Sequence, residues 1–430
     1  MLKSDARRAT RLSRQATVSA PPFQLRTTMA VAFFFIDFER ERTPMPEICL
    51  MTKSWRYSAG WIAQMIAQSI AERGVSIAYV APMAEPVARE PHNANVLRIA
   101  TPREHVGGVH GKLDRAVASL ARIGSGLWHV LRLRASTRSF IFTIPEPLLF
   151  TLPLFALLRL TGARVIYLVH DAQPHAWNLP QRWRSLERAA HRWSYRLASV
   201  IVTLTPSVGS ALARDFGVAP SKITTIPHGP LAVSDVAPLP GSHKLLIFGA
   251  LRRNKGILDA VRGVLLARRQ GSPVRLILAG EPLKQEPGYW EECLRAIAED
   301  PEGFDVRVGF VPDEALPALI GEADAFVLAY RDFDSQSGVG VLAALAGRPV
   351  IGSRVGGLAE LFDLGMVGKL LAEPVTPEGF ADAVAEFYLE DAAHWRAAAE
   401  LGRTRIAKTL RWDTIADAYI QVARTGLPRT

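Results

Sequence analysis

Apolar runs punctuate the chain at Ile48–Met51, Ser76–Val80, Val96–Ala100, Phe140–Thr143, Val165–Val169, Val200–Leu204 and Ile223–Ile226, with amphipathic stretches such as Ala59–Arg73 and Arg182–Leu197 between them. Runs that are apolar throughout, rather than alternating, predict strands buried on both faces, as in a parallel sheet covered by helices. Prolines and glycines break the period at Pro227–His243, after which it restarts at Lys244–Phe248, Val274–Ala279, Val306–Phe310, Ala325–Leu328 and Pro349–Ile351. The pattern predicts an α/β protein with two Rossmann-like doubly wound domains in tandem. We place the first over residues 44–230, a linker over 231–243 and the second domain over 244–410. Residues 411–430 carry a helix with Trp412, Ile415, Ala418, Tyr419 and Val422 on one side, suited to return over the first domain.

At 430 residues, 49% hydrophobic and 21% charged, the chain can build two large cores. Its two cysteines, Cys49 and Cys293, are far apart, which argues against a disulfide framework or a Cys-based zinc site and fits a reducing cytoplasm. The net charge of +10 is uneven: residues 1–230 hold 29 Lys+Arg against 14 Asp+Glu, a net +15, whereas the remainder is net −5. The basic partner surface therefore belongs to the first half. Residues 1–43 read as a basic, disordered tail built around Arg7, Arg8, Arg11 and Arg14, with a targeting signal as the alternative. No apolar run reaches the roughly 18 residues that span a bilayer. Pro147–Leu158 is interrupted by Pro153 and followed by Arg159, so it reads as a buried or interfacial helix.

Four glycine-dependent turns follow strands of the second domain, at the edge where open α/β sheets hold ligands. Gly249–Gly256 (GALRRNKG) brings small residues together with Arg252 and Lys255, two cations suited to a diphosphate. Leu278–Glu281 (LAGE) and Gly309–Val311 (GFV), the latter before an acidic helix at Asp313–Gly321, have the same small-residue character. The fourth, Gln336–Glu360 (QSGVGVLAALAGRPVIGSRVGGLAE), follows the polar loop from Tyr330 and opens a helix at Ser337-Gly338. Free N–H groups there, with the Ser335 and Ser337 hydroxyls, would form a site for phosphate oxygens; a purely structural helix cap is the competing reading.

These motifs resemble family 4 of the retaining glycosyltransferases, whose GT-B fold sets two Rossmann-like domains across a cleft. LIFGALRRNKG resembles the G-x-[LI]-R-x-x-K-G element, VGFVPDEALPALIGEADAFVLAY the G-[YF]-V…A-D run, and QSGVG…GRPV…VGGLAE the variant with S-G-V in its loop. In the first domain Val169-His170-Asp171 resembles the H-D or H-H element, Ile226-Pro227-His228-Gly229 the I-P-[NH]-G linker, Lys53–Gly60 the acceptor loop, and WDTIADAY the terminal helix.

The resemblance implies a UDP- or GDP-sugar donor and no separate cofactor. Arg252 and Lys255 would hold its diphosphate, with Gly249, Gly280, Gly309, Phe310, Ser337, Gly338 and Val339 lining the donor site. His170 would face the sugar, and Gly60 and His228 the acceptor side. Two departures stand out. Asp334 and Leu342 occupy the places of the family's paired glutamates, so the ribose carboxylate is missing, and Ala250 replaces the first basic residue of the glycine loop. Asp332 and Asp334 have D-x-D spacing but fall on the sugar side or in a solvated loop, so no metal is expected.

The basic segments Arg122–Arg138 and Arg182–Arg196 mix arginines with Trp128, Trp183, Trp193 and Tyr195. They fit attachment to an anionic membrane surface, on the inner face of the cell membrane, where a saccharide or lipid-linked acceptor would be met; a core helix with a solvated arginine face is the alternative. No nucleic-acid recognition module is evident, so nucleic acid is not expected as a partner. A catalytically silent GT-B scaffold is the rival to an enzyme, prompted by Leu342 and Ala250.

Overall fold

The computed structural model describes residues 45–426 apart from 56, 85–89, 105–111, 144–147, 173–179, 231–237 and 284–285. The proposed basic tail and part of the proposed linker lie outside the described residues.

The first sheet is built from β1 (Ile48–Thr52), α1 (Tyr57–Glu72), β2 (Ile77–Pro82), β3 (Val96–Thr101), α2 (Lys112–Leu133), β4 (Ser139–Thr143), α3 (Leu148–Leu160), β5 (Arg164–Val169), α4 (Arg184–Leu197), β6 (Val200–Thr203), α5 (Pro206–Phe216) and β7 (Ile223–Thr225). All its strands are parallel, in the order β3-β2-β1-β4-β5-β6-β7. The chain winds outward from β1 in one direction and from β4 in the other, so the strand order reverses between them. The uniformly apolar runs are explained by burial: β1, β2, β4 and β6 are buried at every residue.

The second sheet comprises β8 (Lys244–Phe248), α6 (Ile257–Arg269), β9 (Arg275–Gly280), α7 (Pro287–Ile297), β10 (Phe304–Val308), α8 (Leu316–Gly321), β11 (Ala325–Leu328), α9 (Gly338–Leu345), β12 (Val350–Ser353), α10 (Gly356–Leu364), β13 (Gly368–Leu371), α11 (Pro377–Phe387) and α12 (Ala392–Thr409). Its order is β10-β9-β8-β11-β12-β13, again all parallel, with the reversal between β8 and β11.

Three sequence expectations are corrected here. The strand expected at Val306–Phe310 runs instead over Phe304–Val308. As an edge strand it buries Phe304 but leaves Val306 and Val308 exposed, so its apolar residues do not mark its bounds. β13 went unpredicted because an edge strand of sequence GKLL, with one buried residue, has almost no apolar signal. The acidic helix expected from Asp313 begins as a 3-10 turn, Asp313–Ala315, and becomes α-helical only at Leu316.

Helices cover both faces of each sheet. In the first domain α2 to α5 pack on one face, where Val130, Phe155, Ala190 and Leu212 meet Phe140, Phe142 and Val165. α1 covers the other face together with α13 (Trp412–Thr425), which places Ile415, Tyr419 and Val422 among Ile62, Ile66 and Ile70. Arg73 binds Asp417 and Arg424 binds Glu47, each through two hydrogen bonds. These pairs are exposed and contribute little to stability; the docking of α13 is apolar burial. Gly229 lies beneath the Trp412 indole, where a Cβ would fall 2.6 Å from the ring.

Tyr419 is 1% exposed, and its hydroxyl has no hydrogen-bond partner among the described residues. Tyr419→Ala should therefore cost about 3–5 kcal/mol in denaturant unfolding, as for other large-to-small aromatic core changes. Tyr419→Phe should be neutral or stabilising, since it deletes only an unpaired buried polar group. A marked loss in the Phe variant would contradict this packing.

Candidate active site

The turn that leaves β8 is shaped by backbone approach. Gly249 (φ 91°) donates its N–H to the Ala279 carbonyl at 2.9 Å, and a Cβ on Gly280 would fall 1.9 Å from the Gly249 oxygen. The β8 and β9 ends therefore run in contact, which only glycine at 280 permits. A 3-10 turn, Arg253–Lys255, follows and closes at Gly256 (φ 62°), where a Cβ would meet the Ala329 carbonyl oxygen at 2.0 Å.

Lys255 is thereby turned inward. It is 7% exposed, donates from Nζ to the Phe248 carbonyl at 2.8 Å, and lies 5.8 Å from the centroid of the Tyr330 ring. Burial, reinforced by the Arg252 charge, pushes its ammonium down to about 7. Arg252 is half-buried beside it, and its Nε is enclosed without a hydrogen-bond partner among the described residues. Two cations thus meet at a topological switch point, Lys255 held by a backbone carbonyl, and their joint charge favours an anion there.

The opposing wall is the loop between β11 and α9. Its Arg331 N–H donates to the Asn254 carbonyl at 2.8 Å, tying it to the β8 turn. Ser337 caps α9 by accepting from the Gly340 N–H at 3.0 Å, so its hydroxyl is engaged by its own helix. The Ser335 hydroxyl donates to the His170 carbonyl at 2.8 Å. Neither hydroxyl is thus free in the way the sequence suggests. The amides of Gly338 and Val339, which a helix cannot satisfy internally, remain at the open end of α9. Gly356 and Gly357 let α10 start directly beneath this loop, since a Cβ on either would strike the Phe333 or Ser335 carbonyl oxygen at 2.0 or 2.4 Å.

From the first domain, the end of β5 brings His170 to this loop. Its Nε2 is 2.9 Å from the Thr143 hydroxyl on β4. Part of its surface is open, yet the enclosing protein strips water from the ring and lowers its pKa to about 4, against the opposing pull of Asp171. His228 is 2% exposed; its Nδ1 donates to the Gly229 carbonyl at 2.6 Å, and burial lowers its pKa to about 4 as well. The Gln336 side chain clasps the backbone of His228, accepting from its N–H at 2.8 Å and donating to its carbonyl at 3.0 Å. Thr205, the cap of α5, donates to the Asp334 carbonyl at 2.8 Å, and Glu360 accepts from Ser207.

Arg252, Lys255, Gly249, Gly280, Ser337, Gly338, Val339, His170 and His228 thus belong to loops that the structure draws together. Gly309 follows the edge strand and donates its N–H to the Gly280 carbonyl at 3.0 Å, and Phe310 beside it is 72% exposed. Gly60 sits in the first turn of α1, where a Cβ would fall 2.3 Å from the Trp55 carbonyl carbon; its smallness is explained by backbone packing. Leu342 is buried in the apolar layer with Val341, Leu358 and Leu361. Asp332 and Asp334 are exposed, and the described residues contain no group of three His, Cys, Asp or Glu placed to hold a metal. Sequence reasoning missed Gln336, Thr143 and Thr205, whose roles depend on a partner far away in the chain. The T-P-S of a helix cap was the one local signal available, at Thr205.

Two family models match this chain. One, described as Glycosyltransferase Family 4, covers residues 59–229, and another, Glycosyl transferases group 1, covers 242–390. Glycogen synthase of Mycobacterium tuberculosis is 31% identical over 54% of this chain and 56% of its own length. O-antigen chain mannosyltransferase B of Escherichia coli is 29% identical over 54% of this chain and 62% of its own. The chain spans about half the length of the curated relatives it matches. Among solved structures, Anabaena HepE in complex with UDP and glucose superposes with a TM-score of 0.64 at 18% identity, covering 87% of this chain and 98% of that one. Sucrose-phosphate synthase of Thermosynechococcus elongatus gives 0.64 at 16% identity, over 88% of this chain and 98% of that one.

Both histidines are held neutral by folding, so between pH 6.5 and about 4 the unfolded chain binds more protons than the folded one. Their contribution to stability is complete above the ordinary histidine pKa and is lost as pH falls through that window. Thermal unfolding should shift downward from pH 7 to pH 5, and His228→Asn, which keeps a donor near Nδ1, should flatten that dependence.

Proposed function

The chain belongs to the family-4-like glycosyltransferases of GT-B fold, and from that membership we propose that it moves a sugar from a nucleoside diphosphate donor, a UDP- or GDP-sugar, to a saccharide or lipid-linked acceptor with retention of configuration. The observation that carries this reading is the convergence of Lys255, Arg252 and the open end of α9 at the β8/β11 reversal, with His170 supplied by the other domain.

Breaking the bond between the anomeric carbon and a diphosphate joins a cationic sugar to an increasingly anionic leaving group. The cations and the α9 amides supply fixed positive potential for that anion without a metal. Lys255, with its pKa lowered to about 7, is poised between states; a diphosphate beside it favours the ammonium, so donor binding takes up a proton above neutral pH. His170, neutral at pH 7, offers an uncharged ring and a peptide carbonyl to the sugar side, which suits a developing oxocarbenium better than an imidazolium would.

In this reading the acceptor is membrane-associated, the protein acts peripherally at the inner face of the cell membrane, and the product enters polysaccharide or glycoconjugate assembly. The basic first half of the chain supports that placement. Among the described residues no helix is long and apolar enough to cross a membrane. The apolar Leu342 at the expected ribose position favours a second reading, a nucleotide-binding scaffold without transfer activity.

Lys255→Ala and Arg252→Ala should each lower kcat/KM for the nucleotide sugar by about 100-fold or more, the scale of losing one group that stabilises transition-state charge. Undiminished transfer by both variants would overturn the assignment. A thermal-shift comparison of UDP, GDP and their sugars identifies the donor, because bound ligand raises the melting temperature according to its affinity. Binding without transfer or donor hydrolysis would establish the scaffold reading instead.

A further inference from the structure

α2, α3 and α4 are neighbours on one face of the first sheet. Their outward surface is unusual for a water-facing layer. On α2 the residues Val117, Leu120, Trp128 and Leu131 recur at helical spacing and are all exposed, while Ile123 and Val130 face the core. α3 contributes exposed Leu157 and Leu160 at its C-terminal end. α4 and the turn before it expose Trp183, Leu186 and Trp193. Trp128, Trp183 and Trp193 are each more than half exposed.

α2 carries one exposed acidic residue, Asp114, in its first turn, whereas the exposed charge of α3 and α4 is all positive. Arg182, Arg184, Arg188, Arg192 and Arg196 are exposed on the turn and α4, and the Arg196 guanidinium lies 5.2 Å from the centroid of the Trp193 ring. The carboxylate of that helix, Glu187, is buried, and α3 contains no acidic residue. Tyr195, grouped with the surface aromatics in the sequence, is buried against Tyr167 and Phe216 and takes no part.

We infer that the α2–α3–α4 face is a docking surface for an anionic lipid bilayer, with the tryptophans and leucines entering the headgroup boundary and the α4 arginines pairing with lipid phosphates. Tryptophan and arginine suit that boundary because each joins an apolar body to a polar tip, and anionic lipid phosphates attract a row of exposed arginines. A bare polyanion such as RNA would satisfy the arginines but leave Leu157, Leu160 and Val117 in water. The location has a use as well. α4 follows β5, whose C-terminal end carries His170, and Gln181–Trp183 begins α4 at the cleft-side edge of the sheet. A bilayer on this face lies beside the mouth of the first domain's half of the site, where a lipid-linked acceptor arrives. The inference deepens the transferase reading by specifying how its acceptor is met, and rests on that reading for this last step alone.

The test is flotation of the full chain with phosphatidylcholine vesicles, with and without phosphatidylglycerol, together with a thermal shift on adding UDP. Wild type should float with anionic vesicles and not with neutral ones, and added salt should release it. Arg184→Glu with Arg192→Glu should weaken that binding at least ~10-fold, given roughly 1 kcal/mol per basic residue near the surface. Trp183→Ser with Trp193→Ser should abolish the blue shift of tryptophan emission on vesicles, with the response to UDP unchanged in both variants. Equal binding to neutral vesicles, charge reversal without effect, retention on RNA in place of vesicles, or a wild-type dimer dispersed by the tryptophan changes would each overturn the proposal. Vesicle binding by a chain that transfers no sugar would overturn the transferase reading and leave this surface standing.

Discussion

The loop from Tyr330 to Ser337 makes hydrogen bonds that its own domain does not supply, and the site depends on that constraint. Backbone groups removed from water need partners. Here the Asp334 carbonyl accepts a hydrogen bond from the Thr205 hydroxyl, the Ser335 hydroxyl donates to the His170 carbonyl, and Gln336 binds both backbone groups of His228. Each of these bonds joins the second sheet's switch-point loop to an element of the first domain. The loop that opens α9 is thus held from both sides, and its geometry follows from the two domains meeting rather than from either alone.

The electrostatics of the same region have a common direction. Burial drives Lys255 toward neutrality and holds both histidines uncharged, while Glu360, facing Ser207, is raised by its own burial. Lys255, pushed toward its uncharged form, carries a desolvation cost that an anion beside it would offset. The glycines at 249, 256 and 280 serve this arrangement by allowing backbones to meet where side chains would keep the cations apart from the sheet edge.

Most of the strands were readable in the sequence because strands buried on both faces, such as ICLM and VIVT, are almost wholly apolar. The signal failed at the edges, where β10 and β13 have one face in water and too few apolar residues to show their bounds. The turn after β8 was readable for a related reason: glycines at fixed offsets from a strand report close backbone approach, a local property. The groups whose partners are distant in sequence were not. Gln336 and Thr143 have ordinary neighbours in sequence, and their meaning lies in partners 108 and 27 residues away. At Gly60 and Ser337 a residue type suited to ligand contact also has a local structural role, backbone packing at the one and helix capping at the other.

α13 comes after the whole second domain in sequence, yet its Ile415, Tyr419 and Val422 complete the apolar layer that α1 begins more than 300 residues earlier. During synthesis, then, the first domain emerges with one face of its sheet partly uncovered and acquires its last helix only after the second domain has left the ribosome. Long-range closure of this kind slows folding and prolongs exposure of apolar surface. The apolar layer of the first domain is thus the one closed last, by a helix that follows every element of the second sheet.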